Sequence, residues 1–405
     1  MNKKEIVVLS LFDGMSCGQQ ALERGGFRVK RYLASEIDKY AIQITQKNYP
    51  KTEQLGSVVD IDTSILPKID LLLGGSPCQS FSFAGKRKGM STKDEVEILT
   101  LEHYLELKSQ GFEFEGESYL FWEYMRILKA VKPKYFILEN VIMGKKWELV
   151  LSKAIGYAPI MINSSLLSAQ NRKRLYWTNI GAQPSGLFGY SECKIQQPKD
   201  KGILLKNVLD KEVGDKYHLK EHVVKSLLEW QARNKKKGNG FKVEFRGIDE
   251  KSAIVTTSAS KSSSTYVVCV ASRGRNPKNP KSRKSGEQTE QMLEPRFDGK
   301  TNCLTSVQKD NYVAFISDFF NSKSNCLTPD AYLTTGKRKR DVNGKSILTS
   351  MHERRVRRLT PLECERLQTV KDGYTSGVSE TQRYKMLGNG WTVDVIVYIL
   401  SYMKL

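Results

Sequence analysis

Between residue 5 and about residue 180, short apolar runs alternate with segments whose apolar positions recur every three to four residues. The runs Ile6–Leu11, Tyr32–Glu36, Asp70–Gly74, Tyr135–Glu139, Ala158–Asn163 and Leu175–Asn179 predict strands. Between them, helical spacing covers Gly18–Arg24, Lys39–Asn48, Tyr119–Val131 and Lys145–Ile155. Such alternation predicts an α/β fold with a doubly wound, mostly parallel sheet. Met90–Ser118 departs from the rhythm. It carries a capping-box pattern at Thr92 and Glu95, apolar residues at 98, 101 and 105, and a stop at Gly111. A surface helix inserted in a long loop is the plain expectation.

Beyond Gly181 the pattern changes. Gly, Ser and Lys become frequent, and β-branched bursts such as "AIVTTSAS", "TYVVCVAS" and "YVAFIS" replace the βα rhythm. A short theme recurs as "KSAIVT" at 251, "KTNCLT" at 300, "KSNCLT" at 323 and "KSILT" at 345. Its uneven spacing excludes a solenoid; either similar strand–turn pieces or chance in a Ser/Thr/Lys-rich stretch explains it. Helical signals return in "TPLECERLQTV", with Thr360 as N-cap and Pro361 at the first position. The final "TVDVIVYILSYM" fits a strand or a helix docked on the first domain. The expected layout is a discontinuous α/β domain, 1–181 and 353–405, interrupted by a basic β-rich insertion at 182–352.

Charge sharpens the expectation for the insertion. The 405 residues carry 65 Lys and Arg against 44 Asp and Glu, a net charge of +21. Much of the excess sits in "NKKKGNGFK", "RGRNPKNPKSRKSG", "GKRKR" and "HERRVRRLT", runs suited to a nucleic acid. Seven scattered cysteines with no C-x-x-C pair argue against a disulfide framework and a zinc site. No run approaches the ~20 apolar residues of a membrane span, and the N-terminus lacks a signal-peptide pattern. A cytoplasmic protein with no membrane partner is expected.

Candidate chemistry lies at the expected strand ends. "LSLFDGMSCG" is a glycine-bearing turn after the first strand, a usual place for a nucleotide-like cofactor, although it lacks the dinucleotide fingerprint. Glu36 could accept from a ribose diol and Asp60 from an adenine amino group. Each alone is commonly a helix cap or a solvated acid, so their succession is the informative fact. "GGSPCQSFSFAG" places Cys78 directly after Pro77, and Glu139-Asn140 ends a later strand, where such a pair is costly unless bonded. In "QNRKRLYW", alternation would turn Gln170, Arg172 and Arg174 to one face, to clamp or steady a reacting group or to stand as solvated edge residues.

The ordered series "FDGMSCG", "SEID", "VVDID", "GGSPCQSFSFAGKRKG", "YLFWEYMRIL", "LENV", "QNRKRLYW", "RRLTPLECERLQ" and "MLGNGWTV" resembles the C5-cytosine DNA methyltransferase family. The likeness covers roughly 5–181 and 353–405. Its overall type is bacterial or phage-like, with "SLFDGM" and "RYLASE" also similar to the animal de novo branch. The resemblance implies a Rossmann-like S-adenosylmethionine-dependent domain, with 182–352 as the target-recognition domain. It implies Cys78 as nucleophile, Glu139 holding or protonating cytosine N3, and Arg172 and Arg174 orienting the base. Cysteine suits the task because its thiol ionises far more easily than a hydroxyl.

The implied cofactor is S-adenosylmethionine, leaving as S-adenosylhomocysteine, with no metal. Phe12 would meet the adenine, with Gly14, Met15 and Cys17 at the amino-acid end. Glu36 would take the ribose, Asp60 the adenine amino group, and Leu120 and Asn389 would close the pocket, with Ile37, Ile61, Pro77, Gly390 and Trp391 as further cofactor-binding residues. The implied partner is double-stranded DNA, bound by a monomer that flips the target base; a cognate restriction nuclease is a further candidate partner. Gln79, Ser82, Lys86, Arg87 and Lys88 in the loop after Cys78, with Gln170, Arg273 and Arg275, are the candidate DNA contacts. Two departures stand out: the family usually has another glycine at Ser16 or Cys17, and Ser-Val where Gly390-Trp391 stand. An RNA cytosine methyltransferase is one alternative, against which the large basic insertion counts. A catalytically silent DNA-binding homologue is another, against which the intact Cys78, Glu139, Arg172 and Arg174 count.

Overall fold

The computed structural model describes residues 5–77, 97–114, 116–183, 191–210, 213–217 and 359–404, together with the backbone of strands 266–275, 290–296, 312–316 and 356–358. Seven strands, β1 (Glu5–Leu11), β2 (Arg28–Ser35), β3 (Glu53–Gly56), β4 (Leu71–Gly74), β5 (Tyr135–Val141), β6 (Ile160–Asn163) and β7 (Lys173–Thr178), form one sheet in the order β3-β2-β1-β4-β5-β7-β6. All neighbours are parallel except at β7, which runs antiparallel to β5 and β6. The mostly parallel α/β architecture is as the sequence predicts. β3 is the addition: its "EQLG" is a short polar edge strand without the apolar run that marks buried strands.

Both sheet faces are covered, which is why the central strands read as near-continuous apolar runs. On one face Ile6, Val8, Leu71, Leu73 and Ile137 pack with α1 (Cys17–Arg24), α2 (Lys39–Asn48) and the C-terminal helix. On the other, Leu9, Leu11, Leu72, Phe136 and Leu138 meet α3 (Leu101–Ser109), α4 (Leu120–Val131) and α5 (Lys145–Ile155). The chain then returns as α6 (Pro361–Leu367), α7 (Glu380–Asn389) and α8 (Val393–Leu400). α6 has the expected start, with Thr360 and Glu363 forming a reciprocal capping box around Pro361. The apolar C-terminal segment resolves as a helix: Val393, Val395, Ile396, Ile399 and Leu400 are buried against the sheet.

The inserted helix starts later than the capping-box pattern suggests. Thr100 is its N-cap, accepting from the His103 amide at 3.2 Å; Thr92 and Glu95 lie outside the described residues. Gly111, at φ 73°, ends it as expected. More than a surface helix, α3 buries Leu101 and Tyr104 and docks on α4 through charge. The fully buried Glu123 accepts from Tyr104 Oη and Lys108 Nζ, both at 2.6 Å, and from Arg126 Nε at 2.7 Å. Arg126 reaches on to the carbonyls of Val58 and Ile61, each at 3.1 Å. The insertion is thereby tied to the loop after β3.

The boundary expected at 182 falls inside this packed unit. β8 (Ala182–Gln183) and β9 (Glu192–Cys193) pair, and Ile195, Leu205 and Val208 join the core. Asp210 forms an ion pair with Arg366 of α6 at 2.6 Å. A separate antiparallel sheet follows, order β11-β10-β12-β13, from β10 (Tyr266–Arg275), β11 (Glu290–Arg296), β12 (Tyr312–Ile316) and β13 (Val356–Arg358). β10 and β12 correspond to the bursts "TYVVCVAS" and "YVAFIS", whereas all four copies of the Lys-Ser/Thr theme lie outside the described residues. Among the described residues no helix is long and apolar enough to cross a membrane.

Candidate active site

Register brings the strand ends into a row. Leu11 pairs with Ser35 and with Gly74, and Gly74 pairs with Leu138. The next residues, Phe12, Glu36, Gly75 and Glu139, therefore follow one another along the carboxyl edge of the parallel sheet, where open α/β folds bind ligands.

The β1 side of this edge is a strained turn. Phe12, Gly14 and Ser16 have φ of 57°, 59° and 58°, and non-glycine residues hold such a conformation only where their surroundings impose it. Ser16 thus adopts the backbone for which the family's usual glycine is suited. Glu36 fixes the turn: Oε2 accepts from the Gly14 amide at 2.7 Å, and Oε1 from the Ile37 and Asp38 amides, both at 2.8 Å. Asp13 accepts from Tyr32 Oη at 2.7 Å and from Ser16 Oγ. Burial outweighs these bonds and pushes its carboxyl up to about 6. The side chains of Met15 and Cys17 are buried, so this stretch presents backbone to a ligand. Burial also pushes the Cys17 thiol up to about 12, which leaves it unreactive.

The ends of β2 and β3 suit a nucleoside. Ile37 is 77% exposed beside Glu36, and the exposed Asp60 follows β3, next to the buried Ile61 whose carbonyl Arg126 holds. An apolar side chain between carboxylates at adjacent strand ends offers a stacking surface and acceptors for hydroxyl and amino groups. Leu120 is half-buried at the start of α4, and Asn389 is exposed at the end of α7. The residues present therefore fit S-adenosylmethionine.

The β4 and β5 ends hold the expected reacting groups. The chain leaves β4 through Gly75, Ser76 and Pro77; Cys78, Gln79, Ser82, Lys86, Arg87 and Lys88 lie outside the described residues. Asn140, buried next to Glu139, donates from Nδ2 to Ser76 Oγ at 3.1 Å and to the Ser76 carbonyl at 3.4 Å. It anchors the segment entering Pro77-Cys78, a role its place in the Glu-Asn pair hinted at without specifying. Glu139 is 8% exposed. Its Oε1 lies 2.9 Å from Arg174 Nε, and its Oε2 accepts from Trp391 Nε1 at 3.2 Å.

The three residues expected on one face separate. β7 begins at Lys173, so the alternation covers Arg174 alone of the three. Arg174 reaches Glu139; Arg172 is buried, with Nη1 donating to the Gly388 carbonyl at 3.1 Å. Gln170 corrects the expectation of a DNA contact. It is fully buried, and Nε2 donates to the Leu367 carbonyl and Gln368 Oε1, both at 3.1 Å. Its amide secures α6 and leaves no surface for DNA. Arg273 and Arg275 lie on β10.

The two departures around 16–17 and 390–391 are physically linked. A Cβ on Gly390 would come 2.9 Å from Met15 Cε, 3.0 Å from the Met386 carbonyl and 3.3 Å from Cys17 Sγ. Met15 and Cys17 of the first turn thus crowd position 390, which suits a residue without a side chain. Trp391, expected at the cofactor, points its indole N–H at Glu139.

A family model described as C-5 cytosine-specific DNA methylase matches residues 6–404. The chain belongs to the C-5 cytosine-specific DNA methylase family. As a member it is a DNA cytosine-5-methyltransferase. Among curated methylases, the orphan methyltransferase M.SPRI of Bacillus phage SPR is 28% identical, over 97% of this chain and 96% of its own length. The type II methyltransferase M.HgiCI of Herpetosiphon aurantiacus is 24% identical over 96% and 94%. In solved structures, a DNMT2 variant from Spodoptera frugiperda superposes with a TM-score of 0.56 at 17% identity, covering 98% of this chain and 99% of that one. That likeness supports the methyltransferase fold alone.

Proposed function

We propose that this methylase transfers a methyl group to C5 of a cytosine flipped out of double-stranded DNA, through a covalent adduct with Cys78. The observation that carries the reading is Glu139: a buried carboxylate at the sheet's carboxyl edge, held by Arg174 and Trp391 beside the strand that delivers Pro77-Cys78. The Cys78 thiolate adds to cytosine C6, forming S–C6 and placing the electron pair at C5. Glu139 hydrogen-bonds or protonates N3, which stabilises the charge that develops. S-adenosylmethionine supplies an electrophilic methyl group. Once C5 carries it, the C5 proton leaves to a base, the S–C6 bond breaks, and C5=C6 re-forms. Arg174 orients Glu139, while Asn140 positions the segment before the nucleophile.

In this reading Glu36, Ile37, Asp60 and the Phe12–Cys17 backbone hold the cofactor. Lys86, Arg87 and Lys88 contact DNA phosphates, and the insertion containing β10, with Arg273 and Arg275, reads the target. The enzyme acts as a monomer in the cytoplasm of a bacterium or phage-infected cell and protects DNA from restriction. Full-length similarity to phage and bacterial methyltransferases supports that setting. Bisulfite sequencing of plasmid DNA from cells expressing the protein tests the reaction, with tRNA from the same cells as the alternative substrate. Conversion-resistant cytosines at one recurring DNA sequence are expected. Resistance confined to tRNA, or to neither, would overturn it.

A further inference from the structure

The contact between Trp391 and Glu139 divides the two carboxylate oxygens between different tasks. Oε2 accepts the indole N–H at 3.2 Å. Oε1 lies 2.9 Å from Arg174 Nε as an ion pair, yet it is buried and accepts no hydrogen bond among the described residues. Held by the ion pair alone, Oε1 keeps an acceptor lone pair that a ligand's donor can complete. The backbone around the contact leaves no slack. A Cβ on Gly75 would fall 2.9 Å from Trp391 Nε1 and 3.3 Å from Glu139 Oε2. The indole and the carboxylate therefore meet directly over the residue that leads into Ser76-Pro77-Cys78. The ring is itself 9% exposed, on the segment between α7 and α8.

We propose that Trp391 is a positioning residue for Glu139: its N–H occupies Oε2 and so assigns Oε1 to the target base. This rests on the reading that Glu139 meets cytosine N3. An indole N–H is a donor only, so Oε2 is fixed as an acceptor and Oε1 is the oxygen through which a proton passes to or from the ring. Arg174 contributes charge from the side. Trp391 contributes the rotational register of the carboxyl group.

The test is Trp391→Phe, which keeps an aromatic ring and removes the N–H. Single-turnover methyl transfer to duplex DNA, with S-adenosylhomocysteine affinity by calorimetry, separates the two possible roles of the ring. Expected are a methyl-transfer rate lower by about tenfold, the size of one lost hydrogen bond to a charged group, and affinities for S-adenosylhomocysteine and DNA within about twofold of wild type. Gly75→Ala, whose Cβ intrudes on the same contact, lowers the rate in the same direction. In a Glu139→Gln background the Phe substitution changes the residual rate by less than about twofold, because the partner it acts through is gone. An unchanged rate with S-adenosylhomocysteine affinity about tenfold weaker would overturn the proposal and put Trp391 in the cofactor wall. A tenfold loss that persists in Glu139→Gln would overturn it too. Failure of the wild-type enzyme to methylate cytosine C5 would instead sink the functional reading on which it rests.

Discussion

Replacing Gly390 with alanine isolates the packing that links the two ends of the chain. Gly390 has φ −66° and ψ 166°, a conformation any residue adopts, so the substitution introduces no backbone strain. By restricting the unfolded chain it would stabilise by about 0.4–1 kcal/mol if the space were open. The space is not open: the new Cβ would stand 2.9 Å from Met15 Cε, 3.0 Å from the Met386 carbonyl and 3.3 Å from Cys17 Sγ. Met15 Cε ends a buried side chain and yields only by displacing its core neighbours, a cost that truncating Met15 would remove. The Met386 carbonyl cannot yield, because it accepts the Gly390 amide at 2.8 Å as the cap of α7. Overpacking of this kind costs roughly 1–3 kcal/mol, so the net loss should be about 1–2 kcal/mol. Urea unfolding measures it. The link to the first turn is tested by a cycle with Met15→Ala. The double variant should be more stable than the sum of its singles by about 1 kcal/mol, since the truncation makes room for the methyl group. Neutrality of Gly390→Ala, or additivity within about 0.3 kcal/mol, would refute the linkage.

Two further outcomes probe the charged groups. Glu123→Ala leaves the partly exposed Lys108 and Arg126 facing an emptied buried position and should lower unfolding stability by roughly 1–3 kcal/mol; a loss under about 0.5 kcal/mol would contradict the role of this buried carboxylate. Asp13, raised to about 6 in the folded chain from an ordinary 3.8, binds its proton more tightly folded than unfolded. Its ionisation therefore costs no stability below about pH 4, costs progressively more as pH rises towards 6, and levels off above, at roughly 3 kcal/mol. Stability of the wild type relative to Asp13→Asn should fall across that window, and a pH-independent difference would refute it.

Legibility in the sequence followed burial and distance along the chain. Strands buried on both faces announce themselves as apolar runs, so β1, β4 and β5 are readable; the polar edge strand β3 has no such signature. The C-terminal segment is apolar nearly all round because it is buried, so its period could not choose between strand and helix. Gln170 was misread because strand alternation was extended three residues before β7 begins. Glu139 and its Asn140 neighbour stand out as polar residues ending an apolar strand. The donor to Glu139 does not, because Trp391 lies 252 positions away and meets it only through the packing of the chain's two ends.

The central claim is a covalent cytosine adduct at Cys78, and a mechanism-based trap tests it most directly. Fluorine at cytosine C5 cannot leave as a cation, so elimination is blocked after methyl transfer and the S–C6 bond persists. Incubation with S-adenosylmethionine and duplex DNA carrying 5-fluorocytosine at the target should give a denaturant-stable protein–DNA complex, with peptide mass spectrometry placing the DNA on Cys78 and no complex from Cys78→Ala. A complex that forms equally with Cys78→Ala, or methylation of ordinary cytosine by that variant at the wild-type rate, would contradict the account.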